Sequence, residues 1–317
     1  MEIRKLFALV LRNMKCYFKD KFLFFVSLMT PMILLVLFVT FLRGVYISSF
    51  EQIFEAAQFT ASDDIINGLA GSWLLSSIIS VSAVTVAICS NAVMIQDKIE
   101  GPICDLAVSP VKGTTVSISY FIANFIVTLL VMLCVLAVGS IYLAIVGWYI
   151  PFLDFLMILV DMICAVLFGT LLSGVIESFI STQGGLSALS TLVSSMYGFI
   201  CGAYMPLSQF AEGMRNMICV LPGTYSVGML RKHFMSGYVE KLAEMGLPDE
   251  GQKALLDGFD GHIYVGSTQM PLWSMYVILL STCALLFAAY VLIVIFKNKK
   301  ISHNVVRMTG KASKSKK

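Results

Sequence analysis

The sequence predicts an all-α membrane protein with six transmembrane helices, an interfacial amphipathic helix ahead of them, a short cytoplasmic helix and a re-entrant helical hairpin on the outer side. Three observations carry that reading. Of 317 residues, 58% are hydrophobic and 13% charged, against about 45 to 50% and about 25% in soluble domains. The apolar residues gather into runs of about 20 or more, the length a helix needs to cross roughly 30 Å of hydrocarbon. The Lys and Arg residues are divided unequally between the two sides that those runs define.

Residues 1–21 place Ile3, Leu6, Phe7, Val10, Met14, Tyr17 and Phe18 at helical spacing, with Arg4, Lys5, Arg12, Lys15 and Lys19 on the remaining surface. Such a helix lies flat on the inner leaflet, apolar face in lipid and basic face toward anionic headgroups. Charges interrupt the segment, so it reads as a lasting interfacial helix and not as a cleavable signal peptide. A docking surface for a cytosolic partner is the other use open to it. The spans follow at 22–42, 73–95, 119–148, 152–179, 186–205 and 272–296, with a connection at 96–118, an acidic outer segment at 237–271 and a basic tail at 297–317.

Six spans put both termini on one side. With the termini in the cytoplasm, only Arg43, Arg215, Arg231, Lys232, Lys241 and Lys253 of the 22 Lys and Arg fall outside. The positive-inside rule favours this orientation, and Trp73, Trp148 and Trp273 then sit at outer ends of spans, where Trp is enriched. Asp161, in the middle of the fourth span, costs about 2.5 to 3.5 kcal/mol to insert. Its neighbours Leu156, Ile158, Leu159, Val160, Ile163, Val166 and Leu167 offset that. The acid lines a path or relays protons, or else it is a carboxyl group held by a neighbouring helix.

The connection after the second span reads Asp97-Lys98-Ile99-Glu100-Gly101-Pro102-Ile103-Cys104-Asp105-Leu106-Ala107-Val108-Ser109-Pro110-Val111. Gly101 ends one helix, Pro102 suits the first position of the next, and Pro110 disfavours helix before it. The helix bracketed between them carries Ile103, Leu106 and Ala107, which in a bare membrane loop would have nothing to bury against, and this implies a protein partner.

In Lys98, Glu100, Gly101, Leu106, Ser109, Pro110 and Val111 this stretch resembles the type-2 ABC exporter permeases, with Pro102 and Asp105 in place of the family's usual Thr and Glu. A second resemblance lies in Gly202-Ala203-Tyr204-Met205-Pro206-Leu207-Ser208, Leu221-Pro222-Gly223-Thr224-Tyr225 and Leu230-Arg231. The resemblance implies that Glu100, Gly101, Ile103, Asp105, Leu106, Ser109 and Pro110 couple the chain to an ATPase. It also places the second and fifth spans along the translocation path near a two-fold interface.

From length, 208–220 and 225–235 are each too short to cross, and the Pro-Gly turn between them needs protein or water around its backbone. A re-entrant hairpin within 206–236 fits, with Pro206, Leu221, Pro222 and Arg231 at an outer gate and Arg231 reaching to the headgroups. A helical pair lying on the outer surface is the alternative. The fifth span carries small residues at every fourth position, Ser190, Ser194, Gly198 and Gly202, beside a second stripe of Ser187, Thr191 and Ser195. The second span has Ser76, Ser80, Ala83, Ala87 and Ser90, with Asn91 beside them. Such stripes let helices approach closely. Ser80, Asn91, Ser190, Ser194, Gly198 and Gly202 are therefore expected at the path or the dimer interface, with packing inside one subunit as the alternative.

No Gly-x-x-x-x-Gly-Lys-Ser/Thr motif occurs, so ATP and Mg²⁺ are expected in a partner subunit and no cofactor in this chain. The eight cysteines lack paired spacing and read as small apolar residues, with no metal site. Cys201 and Cys219 are a conceivable outer disulfide. The three histidines fall outside the spans and leave no intramembrane catalytic pair. The expected partners are a separate ATP-binding-cassette ATPase, a second permease chain and membrane lipids, and not nucleic acid. The expected place is a plasma membrane, of the bacterial kind. A secondary transporter, or a membrane assembly or receptor-like protein, is the competing class, although no internal repeat supports the former.

Overall fold

The computed structural model describes residues 2–102, 105, 106, 111–266 and 268–314, of which Thr30, Val39 and those from 297 onward are described by backbone alone. The elements are α1 (Glu2–Lys19), α2 (Lys21–Leu37), a π-helical turn (Phe38–Leu42), α3 (Arg43–Ala56), α4 (Asp63–Glu100), α5 (Gly113–Val146), α6 (Phe152–Glu177) and α7 (Gln183–Ile200). They continue with a 3₁₀ turn (Leu207–Gln209), α8 (Glu212–Val220), α9 (Pro222–Glu244), α10 (Asp249–Gly258), the two-residue antiparallel strands β1 (Tyr264–Val265) and β2 (Thr268–Gln269), and α11 (Leu272–Lys314).

Five of these stretches are long and apolar enough to cross a membrane: Lys21–Ala56, Asp63–Glu100, Gly113–Val146, Phe152–Glu177 and Leu272–Phe296. The chain is an all-α integral membrane protein. Two spans outrun their expected bounds by about ten residues or more, and the third starts early, at Gly113. The first runs from α2 through the π-turn into α3 without a break, with Pro31 tolerated inside α2 and Gly44 inside α3, and ends at the turn after Ala56. The second starts ten residues before Trp73, at Asp63, with Asp63 and Asp64 in the first turn where acids favour the helix dipole.

α4 is the hub. It packs on α2, α3, α5, α6, α7 and α9, and its most apolar stretch is buried throughout. Its Ser and Ala residues make that possible, since short side chains let backbones meet: Ser173 of α6 donates directly to the carbonyl of Ala87 at 3.1 Å. Gly101 closes α4 with φ +102°, a left-handed cap that disfavours any residue with a Cβ, as the sequence predicts. The bundle has two distinct ends. At one, α1 lies across the starts of α2 and α5 and the end of α4. At the other, which we term the cap end, α3, α10 and the loop 259–263 close over α4.

Trp73 corrects one expectation. It is buried, its indole N–H donates to the carbonyl of Phe259 at 2.9 Å, and it serves the core instead of an interfacial belt. Trp148 and Trp273 are exposed. Cys201 and Cys219 are buried and unpaired.

Candidate functional site

A cavity of about 480 Å³ opens between α2, the π-turn, α3, α4 and α7. Its walls include Leu34, Leu42, Trp73, Ile78, Ser194 and Phe199, and none of its lining residues is charged. Aromatic packing fixes the cap-end wall: Tyr46 lies 4.4 Å from Trp73, and its hydroxyl donates to the carbonyl of Tyr204 at 2.9 Å. Gly198 sits beneath the ring of Tyr204, where a Cβ would come 2.1 Å from Cζ, so the small residue is a steric requirement of this wall.

Beside the cavity lies a buried ion pair. Arg231 reaches Asp260 at 2.5 Å, Ser77 at 3.0 Å and the carbonyl of Gly202 at 2.8 Å, and its guanidinium stands 4.3 Å over Trp73. Asp260 also accepts from the Leu207 N–H at 2.9 and 3.0 Å. Burial pushes the Asp260 carboxyl up to about 6, against the pull of Arg231. One guanidinium therefore ties α9 to α4, to the end of α7 and to the cap loop.

α9 runs along the cap-end half of α4. Ser80 bonds Ser226 at 3.1 Å, Ser77 bonds Arg231, and Tyr238 packs over Gly68. The start of α9 is thus near the level of Ser80. The two helices differ from the expected halves. α8 has nine residues and α9 has 23, about 34 Å at about 1.5 Å per residue. Pro222 starts α9 at a position where its missing N–H is harmless, and no breaker stops it before Gly246. Arg231 corrects a second expectation, since it turns inward to Asp260 and does not extend to the surface.

At the other end, Arg12 of α1 makes a two-pronged contact with Asp97 of α4, and Tyr120 of α5 donates to the same carboxylate. Asn13 donates to Ser119 at 3.2 Å. The hydrogen bond and charge of Asp97 hold the Arg12 guanidinium above its already high range. Part of the basic face of α1 is therefore turned to protein. Asp97 sits three residues before Glu100, so α1 grips the end of the hub helix next to the expected coupling segment.

A family model described as ABC-2 type transporter matches residues 4–235. The chain belongs to that family. No curated protein matches it. As an ABC-2 membrane domain it is the membrane component of a transporter. The match embraces α1 through most of α9 and ends before Asp260.

Within this ABC-2 domain, the residues read from the sequence fall in four places. Ser194 lines the cavity, Ser190 is half-buried one turn before it, Gly198 lies beneath Tyr204 of the cap-end wall, and Gly202 gives its carbonyl to Arg231. Ser80 and Asn91 are buried inside the packing of α4: Ser80 faces Ser226, and Asn91 stands beside the carboxyl of Glu177, outside hydrogen-bond geometry. Pro206 is buried next to the Arg231 cluster, with Leu221 exposed and Pro222 half-buried at the start of α9. In the coupling stretch Glu100, Gly101, Asp105 and Leu106 are described, whereas Ile103, Ser109 and Pro110 lie outside the described residues. Asp161 is fully buried and accepts from Tyr276.

Asp260, Trp73, Tyr46 and Asp97 escaped the sequence reading as site residues. Only Asp260 carried a local signal, an Asp-Gly pair that marks a turn; Asp260 indeed has φ +58°.

Proposed function

We propose that this chain is the path-forming subunit of an ATP-driven exporter, working as two permease copies, identical or paralogous, with a separate ATPase. The observation that carries the reading is the cavity between α2, α4 and α7. Its uncharged, mostly apolar lining suits an apolar cargo or the apolar part of a larger one. The coupling role belongs to Glu100, Gly101, Asp105 and Leu106, with Ile103, Ser109 and Pro110 beside them. Motion imposed there reaches the hub helix directly, because Arg12, Asp97 and Tyr120 bind α1 and α5 to its end. Both termini lie in the cytoplasm by the Lys and Arg distribution, which puts the cap outside.

α7 acts as the sixth span. Its 18 residues extend about 27 Å, and its hydroxyl stripes make it the least apolar of the six. Of the stripe Ser190, Ser194, Gly198 and Gly202, Ser194 lines the cavity and Gly198 backs its wall beneath Tyr204. The other stripe is exposed; Ser195 lines the mouth of the cavity, while Ser187 and Thr191 suit close contact with the second copy. α8 and α9 form the re-entrant hairpin, with Pro206, Leu221, Pro222 and Arg231 at the outer gate. Ser80 and Asn91 serve the path indirectly, through the packing of α4.

Co-reconstitution with the cognate ATPase and a fluorescent apolar dye tests the reading. Ser194→Trp, which fills the cavity, is expected to reduce ATP-dependent dye export about tenfold or more while leaving assembly intact. Dye movement that is indifferent to ATP would favour a secondary transporter. Unchanged export by Ser194→Trp would remove the cavity from the path.

A further inference from the structure

Asp161 lies in a row of titratable groups that the transport reading does not use. Asp154 and Asp161 are seven residues apart on α6, close to two turns, and so share a face. His233 of α9 stands between them. Its Nδ1 is 3.0 Å from Asp154 Oδ1, and its Nε2 is 3.9 Å from Asp161 Oδ2. Both of the latter atoms are buried and without a hydrogen-bond partner. Ser236 donates to Asp154, and Tyr276 of α11 donates to the second oxygen of Asp161. Exposure falls along the row, from 23% for the Asp154 side chain through 9% for His233 to 0% for Asp161.

The chemistry of imidazole sets what this arrangement does. Neutral imidazole has one N–H and one lone pair, so with a carboxylate at each nitrogen one contact is a hydrogen bond and the other a repulsion. Imidazolium has a donor at both nitrogens and turns both contacts favourable. We propose that Asp154, His233 and Asp161 form a proton-binding site, filled from the cap end through Asp154, in which the imidazolium of His233 bridges two carboxylates and draws α9 onto α6. The proton comes from water, resides on the imidazole and returns to water, and no other bond changes. Closing the gap at Nε2 needs a movement of about 1 Å to reach hydrogen-bond length.

The surroundings leave His233 to these two acids. α6 contributes Asp154, Asp161 and the Cys164 thiol near Asp161, and α11 contributes Tyr276. On α9 itself Arg231 is bound to Asp260, Lys232 is exposed, and Tyr238 donates to the carbonyl of Gly147. α4 has no charged residue between Asp64 and Asp97. α8 meets the first turn of α9, at Tyr225, and has Glu212 exposed and Arg215 half-buried. On α10, Asp249, Glu250 and Lys253 are exposed, while Asp257 is held by His262 and Tyr264.

The site is testable on the full chain in lipid nanodiscs, with no ATPase and no cargo, so its outcome is separable from that of the transport reading. The chain has three histidines, so ¹⁵N-histidine labelling gives three sets of ring signals, assigned with His262→Gln and His303→Gln. Between about pH 8 and about pH 5, His233 is expected to pass to a form with protonated, hydrogen-bonded nitrogens at both positions. Asp154→Asn exchanges the charged acceptor at Nδ1 for a neutral one and is expected to weaken the hydrogen-bonded signature there alone, and Asp161→Asn to weaken the one at Nε2 alone. Both are isosteric and spare the fold that His233→Gln endangers. A single neutral tautomer across the whole range, or a doubly protonated ring indifferent to both Asn variants, would overturn the site.

Discussion

Two ion pairs hold opposite ends of this protein, and they differ in how far each is cut off from water. Arg231 and Asp260 at the cap end expose 2% and 3% of their side chains. Arg12 and Asp97 at the α1 end expose 34% and 9%. The first pair has lost its hydration and recovers it only through its fixed partners, Ser77, Gly202, Leu207 and the face of Trp73. The second keeps water on one side of the guanidinium, so its attraction is screened and its loss is partly made good by solvent. The comparison teaches that the cap end is built as an all-or-none closure, whereas the α1 end is a joint that can yield.

The largest expected effect follows from breaking the buried pair on one side only. Asp260→Ala leaves Arg231 uncompensated and is expected to destabilise the chain by about 3–5 kcal/mol, read as a lowered unfolding midpoint of the purified protein. An effect near that of a surface substitution would mean that the two ends do not differ.

Arg12→Ala tests the other side of the comparison. Discounted for its exposure, it is expected to cost about 1 kcal/mol, and raising salt from about 0.1 to about 1 M should erase most of the difference from the unmodified chain. The same salt change should leave the Asp260→Ala deficit in place. If the proposed coupling holds, Arg12→Ala also lowers ATP-dependent export by more than its small stability effect explains, since it loosens α1 from the hub.

A comparable effect is expected from Asn13→Ala, which removes the hydrogen bond to Ser119 and should cost about 0.5–1.5 kcal/mol, but insensitive to salt. Smallest of all in stability should be the paired change Arg231→Met with Asp260→Leu. Replacing a buried ion pair by apolar residues of similar volume is often neutral, so a midpoint within about 1 kcal/mol of the unmodified chain is expected. A double variant as damaged as Asp260→Ala would locate the effect in the Leu207 and Gly202 contacts instead of the charge pair.

Much of this molecule follows from its sequence because the bilayer leaves few choices. Apolar runs of sufficient length must be helices, since lipid satisfies no backbone group, and five such helices stand where the runs predict them. Gly101 announces the end of the hub helix by its need for positive φ, and the motifs at 98–111 and 202–231 lie within the residues that the family model matches. Those are local properties, fixed by residues near one another in the chain.

Tertiary structure alone decided the pairings. Arg231 reads as a cation at the end of a short helix until Asp260, 29 residues away, is seen folded over it. Trp73 reads as an interfacial aromatic until the loop that carries Phe259 covers it. His233 reads as lying outside the spans until α9, longer than its motif suggests, brings it between Asp154 and Asp161. The physical reason is the same each time: hydropathy reports what a residue prefers on its own, whereas a buried charge is placed by partners that converge from several helices, and their meeting is set by how small residues let those helices pack.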